Sequence, residues 1–214
     1  MNNNKITNNS TDKNLPLKKF QGKSWVKKLE SASGKSMMFN KPKKTVYLLM
    51  DCSGSMSEGS KLDQAKKGAA GFATEAQSKE YAVGLIFFSI NAEHILEPRK
   101  EPADVIAAIE NLSPKGSTNM TAAIHMAQEK LSDTTGDKVI CIVTDGMPDN
   151  KDTTLDAAKE AKIHGIEIMA IGTDDADKTF LEQIVTRKEL SVKVLRDQLQ
   201  TGIVSMAKML PGKT

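Results

Sequence analysis

The stretch LLMDCSGSM, residues 48–56, changes abruptly from apolar to polar. Its first part completes the run TVYLLM, residues 45–50, whose apolar residues are consecutive, as is typical of a strand covered on both faces. Asp51, Ser53 and Ser55 then follow at every second position. We therefore predict a buried strand that brings three oxygen-bearing side chains to its carboxyl end.

The same kind of apolar run recurs along the chain and alternates with helical patterns. Four further runs are YAVGLIFFS, KVICIVT, IEIMAIGT and SVKVLR, at residues 81–89, 138–144, 166–173 and 191–196. Apolar residues at three- and four-residue steps predict helices over residues 61–77, 103–112, 120–131, 153–165, 178–185 and 199–210. Strands that alternate with helices form right-handed βαβ units. The predicted fold class is therefore α/β: a doubly wound, mostly parallel, Rossmann-like sheet flanked by helices on both faces.

One strand is predicted to run against the others. AEHILEP, residues 92–98, follows the second strand too closely to be joined to it through a crossover helix. We expect it to form a short antiparallel strand at the edge of the sheet. The regular pattern starts at residue 45, so residues 45–214 are predicted to form one domain.

Residues 1–44 differ from this domain in composition and charge. They hold eleven Lys against Asp12 and Glu30, a net charge of +9, whereas the whole chain carries +3. We interpret this basic, Asn- and Lys-rich leader as disordered, or as an arm that docks on a partner or on the domain itself. Binding to nucleic acid is a less favoured alternative, because the segment lacks interleaved basic and aromatic residues.

The composition favours a protein of the cytoplasm. No apolar run approaches the roughly 20 residues that a membrane helix needs, and the polar start MNNNKITNNSTDKN lacks the apolar core of a secretory signal. Cys52 and Cys141 fall at different heights on their predicted strands, too far apart for a disulfide, so we expect two reduced thiols. Together these features predict a cytoplasmic protein that does not enter a membrane.

Three predicted loops carry oxygen ligands to one edge of the sheet, since ligands of doubly wound sheets bind beyond the carboxyl ends of the strands. The candidates are Asp51, Ser53 and Ser55 in the first loop (DCSGS, 51–55), Thr118 in the second loop (KGSTNM, 115–120) and Asp145 in the third loop (TDG, 144–146). Each alone has an ordinary explanation, such as a helix cap or a turn. Together, two carboxylates and three hydroxyls are hard ligands that favour Mg²⁺ or Mn²⁺ over zinc, with a coordination position left open.

These three loops resemble the metal-ion-dependent adhesion site, MIDAS, of von Willebrand factor A (VWA) domains, through D-x-S-x-S, a threonine before a helix, and T-D-G. The order of strands and helices from about residue 45 to 210 is also similar to that family. The resemblance implies that the metal ligands are Asp51, Ser53, Ser55, Thr118 and Asp145, with Cys52 outside the set. It also implies a stand-alone intracellular bacterial type, which works beside AAA+ ATPases or in tellurite-resistance, stress or defence systems. A last helix that shifts with the state of the metal site is a further implication.

The main functional prediction is a non-enzymatic, metal-dependent protein–protein interaction module. The bound Mg²⁺ or Mn²⁺ would take an Asp or Glu side chain of a partner protein in its open position. A Mg²⁺-dependent phosphoester hydrolase that uses the same rim, formed by residues 51–55, 115–120 and 144–146, is the alternative. Asp149 and Asp152 are the nearest candidates for its nucleophile or general base. Phosphatases of the haloacid dehalogenase type need a second aspartate two positions after the first, and Ser53 stands there instead.

Other motifs in the chain are incomplete. GSMSEGSK (54–61) and LESASGKS (29–36) each lack one element of a phosphate-binding loop. His94, His125 and His164 lack the spacing of a zinc site, and we predict a structural role for His125, which shares a helix with Ala122 and Met126. Neither a nucleotide site nor a zinc site is therefore predicted.

Overall fold

One sheet organises the part of the protein that the computed structural model describes, residues 43–110, 112–173 and 175–212. Its strands, in chain order, are β1 (Lys44–Asp51), β2 (Ala82–Phe88), β3 (Ala92–Arg99), β4 (Asp137–Thr144), β5 (Glu167–Gly172) and β6 (Ser191–Lys193). They lie in the order β3-β2-β1-β4-β5-β6. All neighbours pair in parallel except β2 and β3, which are antiparallel. The predicted mostly parallel sheet with an antiparallel edge strand is confirmed.

Helices cover both faces of this sheet. They are α1 (Lys61–Ser78), α2 (Pro102–Ile109), α3 (Met120–Leu131), α4 (Lys151–Ile163), α5 (Lys178–Ile184) and α6 (Leu199–Lys208). Helix α1 packs against α2 and α6, whereas α3 packs against α4, which contacts α5. Consecutive residues of β1, β2, β4 and β5 are buried, as expected where helices lie on both sides. None of the described helices has the length and apolar character that a membrane crossing requires.

Two predicted elements end three residues earlier than the sequence indicated. The strand predicted over residues 191–196 ends at Lys193, because the chain then turns into a 3₁₀ segment that leads to α6. The helix predicted over residues 103–112 ends at Ile109. Pro114 follows closely, and a proline disfavours helical backbone at the residue before it.

The two cysteines lie at different heights in the sheet. Cys141 pairs in register with Leu48, which stands four residues before Cys52. Both thiols are free and buried. The prediction that they form no disulfide is confirmed.

The predicted leader lies outside the described residues, except for Lys43 and Lys44. The described residues belong to one compact unit, Lys41–Thr214. The predictions made for the leader, docking and nucleic-acid binding included, stay predictions.

Candidate metal centre

Asp51 lies at the carboxyl end of β1 and is fully buried. Its Oδ1 accepts a hydrogen bond from the Ser53 backbone N–H at 2.8 Å, and its Oδ2 accepts one from the Thr144 hydroxyl at 2.6 Å. Burial raises the pKa of Asp51 to about 6, and the nearby charge of Asp145 acts in the same direction, although the hydrogen bonds oppose both. Uncharged donors from the first loop and from β4 therefore fix both oxygens of this carboxylate.

Three oxygen atoms of the first and third loops form a hydrogen-bonded chain. Ser53 Oγ lies 3.0 Å from Ser55 Oγ, and the Ser55 hydroxyl donates to Asp145 Oδ1 at 2.8 Å. Neighbouring ligands of an octahedral ion with bonds of about 2.0–2.1 Å lie about 2.9 Å apart. The spacing of these oxygens therefore fits one ion of the size of Mg²⁺ in contact with both loops.

Hydrogen bonds join the second loop to the first loop and to Asp149, which follows the third loop. The Gly54 N–H donates to the Gly116 carbonyl at 3.0 Å, which joins the second loop to the first. The Thr118 N–H and the Ser117 hydroxyl each donate at 2.8 Å to the carboxylate of Asp149, which follows the third loop. The Asp149 N–H donates back to the Thr118 carbonyl at 3.0 Å. Thr118 is thus held at the rim, between the loops that carry the other four candidates.

Two neighbours of Thr118 have defined structural roles in the second loop. Asn119 is the cap of the following helix, and Gly116 forms a tight turn. Asn119 caps α3, because its side chain accepts a hydrogen bond from the Ala122 N–H at 3.1 Å. Gly116 has a φ of 73°, and a Cβ at this position would collide with the side chain of Ile90. Only glycine fits such a turn without strain. Because Asn119 is the cap of α3, the helix-cap explanation for Thr118 does not apply.

Sequence reasoning missed Lys61, the first residue of α1, whose side chain is 1% exposed. Its Nζ lies 2.7 Å from Asp145 Oδ2 and 2.9 Å from Asp175 Oδ2. Burial alone would lower the pKa of Lys61, but the hydrogen bonds and charges of these two carboxylates hold it above its ordinary value. A lysine at the start of a helix opposes the helix dipole, which is a sequence signal for a nearby carboxylate partner.

Three further residues near the candidate ligands bear on other chemistry, namely Asp149, Asp152 and Cys52. Both carboxylate oxygens of Asp149 accept hydrogen bonds from the second loop, and Asp152 is exposed in the first turn of α4. Burial, together with the charge of Asp51, raises the pKa of the Cys52 thiol to about 12, so this thiol stays neutral. Among the described residues, no group of three or more His, Cys, Asp or Glu could hold a metal ion. The candidate centre therefore depends on its hydroxyl ligands.

Two of the histidines contact polar side chains within the fold. His94 Nε2 lies 3.3 Å from Tyr47 Oη, and His164 Nδ1 lies 3.2 Å from Gln128 Nε2. His125 is exposed on α3. Its exposure gives no support to the structural role predicted for His125, which stays a prediction.

The order of the elements and the sequence of the loops match a known family of domains. The family model of the von Willebrand factor type A domain matches residues 45–203. The chain belongs to this family. Matrilin-1 from Bos taurus is 34% identical to this VWA protein over 119 residues, which are 50% of the chain and 22% of matrilin-1. The chain thus spans less than a quarter of the length of that relative.

Solved structures share the VWA fold of the described residues. The pilus adhesin SpaC from Lactobacillus rhamnosus GG has a TM-score of 0.70 and 19% identity, over 80% of this chain and 31% of SpaC. Proximal thread matrix protein 1 from the mussel byssus, with a zinc-occupied MIDAS motif, has a TM-score of 0.65 and 17% identity, over 79% and 46% of the two chains. At these identities the likeness shows the shared fold, and the predicted VWA architecture is confirmed.

Proposed function

We propose that this VWA domain is a metal-dependent protein–protein interaction module. Asp51, Ser53, Ser55, Thr118 and Asp145 would hold one Mg²⁺ or Mn²⁺, some of them through water. When bound, the ion supplies an electrophilic position that an Asp or Glu side chain of a partner protein can occupy. The observation that carries the proposal is the spacing of Ser53 Oγ, Ser55 Oγ and Asp145 Oδ1, at 3.0 and 2.8 Å.

The chain's own residues orient the ligands in this mechanism. Thr144 fixes the Asp51 carboxylate through its hydrogen bond of 2.6 Å, and Asp149 holds the backbone of the second loop on which Thr118 lies. Two of the five ligands carry a charge, so a divalent ion would keep attraction for a further carboxylate.

The comparisons support a binding role. SpaC is a pilus adhesin, and the mussel thread protein has zinc in its MIDAS motif. For this chain we propose only the common features, which are adhesion to a protein and a metal ion in the MIDAS motif. An enzymatic role on the same rim has less support, because the Asp149 carboxylate serves the second loop and is not free to act as a base.

The setting of the interaction is also a proposal. The two buried, free thiols support a reducing compartment such as the cytoplasm. A partner within an AAA+ ATPase, tellurite-resistance, stress or defence system is part of the same proposal.

Metal binding and partner binding can be tested separately. Titration calorimetry of the metal-free protein should show one Mn²⁺ per chain, and Asp145→Ala should abolish that binding. A pull-down in Mg²⁺ should retain a partner that EDTA, Asp51→Ala or Asp145→Ala releases. Asp156→Ala removes an exposed carboxylate of α4, and this matched control should behave as wild type. A partner that stays bound in EDTA would refute the metal bridge.

A further inference from the structure

Lys61 is the one buried cation in the part of the chain that the structure describes. A buried ammonium group is stable only where carboxylates pair with it. Asp145, fully buried, and Asp175, 51% exposed, provide that pairing at 2.7 and 2.9 Å. The lysine is therefore built into the rim and differs from the solvated lysines of the surface.

The Asp145 carboxylate is shared between two partners. Its Oδ2 faces the Lys61 ammonium at 2.7 Å, and its Oδ1 faces the Ser55 hydroxyl at 2.8 Å. A rotation of the carboxylate would break both hydrogen bonds. Lys61 therefore keeps Oδ1, the oxygen with octahedral spacing to Ser55, on the side of the proposed ion.

The buried charges of the rim do not balance. Asp51 and Asp145 carry two negative charges and Lys61 one positive charge, whereas Asp175 is half exposed and screened by water. A divalent ion would bring this buried set from −1 to +1, and one carboxylate from a partner would then bring it to zero. Without Lys61 the ion alone would give zero, and the same carboxylate would leave a negative charge.

We propose that Lys61, through its ion pair with Asp145, sets the charge of the metal centre, so that the centre binds acidic ligands more tightly and the metal less tightly. This inference rests on the proposed function and adds a residue that acts through Asp145. The preference of the metal centre for an anionic partner then depends on the charge of Lys61, which a substitution can remove.

Lys61→Met tests the proposal, because it removes the charge and keeps an unbranched side chain that is only one atom shorter. The probes are Mn²⁺ alone, by calorimetry, and acetate added to the Mn²⁺-loaded protein, by water proton relaxation. The Kd for Mn²⁺ should fall about tenfold or more and the Kd for acetate should rise about tenfold or more, since a nearby unit charge shifts ionic equilibria by about 1–3 log units. Lys67→Met, an exposed lysine of α1, is the matched control and should change neither Kd.

Asp175→Asn decides the question if Lys61→Met does not fold. Asp175 is 51% exposed, so its replacement leaves the core intact, yet it removes one of the two negative partners of Lys61. The centre then becomes more positive. Binding of Mn²⁺ should weaken and binding of acetate should strengthen, the reverse of the result for Lys61→Met.

Three outcomes separate this inference from the proposed function. Affinities for Mn²⁺ and acetate that fall together in Lys61→Met would mean that the lysine only supports the structure, and the inference would be overturned. Affinities that stay unchanged in both Lys61→Met and Asp175→Asn would overturn it as well. A wild-type protein that binds no Mn²⁺ would overturn the proposed function, and the inference with it.

Discussion

Asp51 and Asp145 stand at the ends of neighbouring strands and are both buried, but their partners differ. Asp51 receives hydrogen bonds from uncharged donors, the Ser53 N–H and the Thr144 hydroxyl. Asp145 receives one from the Ser55 hydroxyl and one from the Lys61 ammonium. In the absence of an ion, the negative charge of Asp51 is therefore stabilised less than that of Asp145. A bound ion would therefore stabilise the charge of Asp51 more than it would stabilise the charge of Asp145.

The largest expected effect is the loss of metal affinity when either carboxylate is neutralised. Asp51→Asn and Asp145→Asn should each raise the Kd for Mn²⁺ by about 100-fold or more, because even residues that only support a ligand contribute about 10–100-fold. Titration calorimetry measures both, with Asp156→Asn as an exposed control. Retained Mn²⁺ binding in either variant would remove that residue from the ligand set.

The two carboxylates should have opposite effects on the stability of the metal-free protein at neutral pH. Asp51→Asn removes a buried charge that lacks a cationic partner, and it should raise the free energy of unfolding by about 1–3 kcal/mol. Asp145→Asn deprives buried Lys61 of its shorter ion pair, and it should lower that free energy by about 1–3 kcal/mol. Urea unfolding in EDTA measures both changes. Shifts of the same sign would show that the difference in partners has no energetic consequence.

A smaller effect is expected when the second loop is loosened. Asp149→Ala removes the acceptor for the Thr118 N–H and the Ser117 hydroxyl, and it should raise the Kd for Mn²⁺ by about tenfold. Ser117→Ala removes one of the two bonds and should raise it less. Calorimetry of both variants sharpens the comparison, because it measures the support for Thr118 separately from the two carboxylates. An unchanged Kd in Asp149→Ala would show that Thr118 does not depend on this contact.

The smallest effect is expected from Arg196, which contacts Asp175 at the protein surface. Arg196→Gln removes a hydrogen bond of 3.1 Å to Asp175, in a pair that is open to solvent. Exposed ion pairs contribute little, so the Kd for Mn²⁺ should change by no more than about threefold. A change in this Kd as large as that for Asp149→Ala would mean that the charge of Arg196 acts on the metal centre more strongly than the exposure of its ion pair suggests.

Much of the fold and the candidate site could be predicted because the deciding patterns are local. The consecutive apolar residues of β1 and the three side chains at Asp51, Ser53 and Ser55 lie within a dozen residues. The topology then places Asp145 beside them, since β1 and β4 are parallel neighbours. The ligand set itself stays a prediction until an ion is measured in it.

The rest of the site depends on contacts between residues that are distant in the sequence. The partners of Lys61 lie 84 and 114 residues further along the chain, so its burial cannot be read from the helix that it starts. The position of Asp149 after the third loop makes it a candidate base in the sequence. Its contact with Thr118, which gives it a structural role instead, spans 31 residues. The charge of a residue is visible in the sequence, but the group that balances it is not.

The hydrogen bonds between the three loops have a consequence for the kinetics of metal exchange. Gly54 and Asp149 hold the second loop against its neighbours through hydrogen bonds made within the protein itself. A preorganised site loses little affinity to the ordering of its own backbone. Mg²⁺ gives up its water reluctantly. We therefore expect dehydration of the ion, and not movement of the loops, to limit the rate at which the site fills.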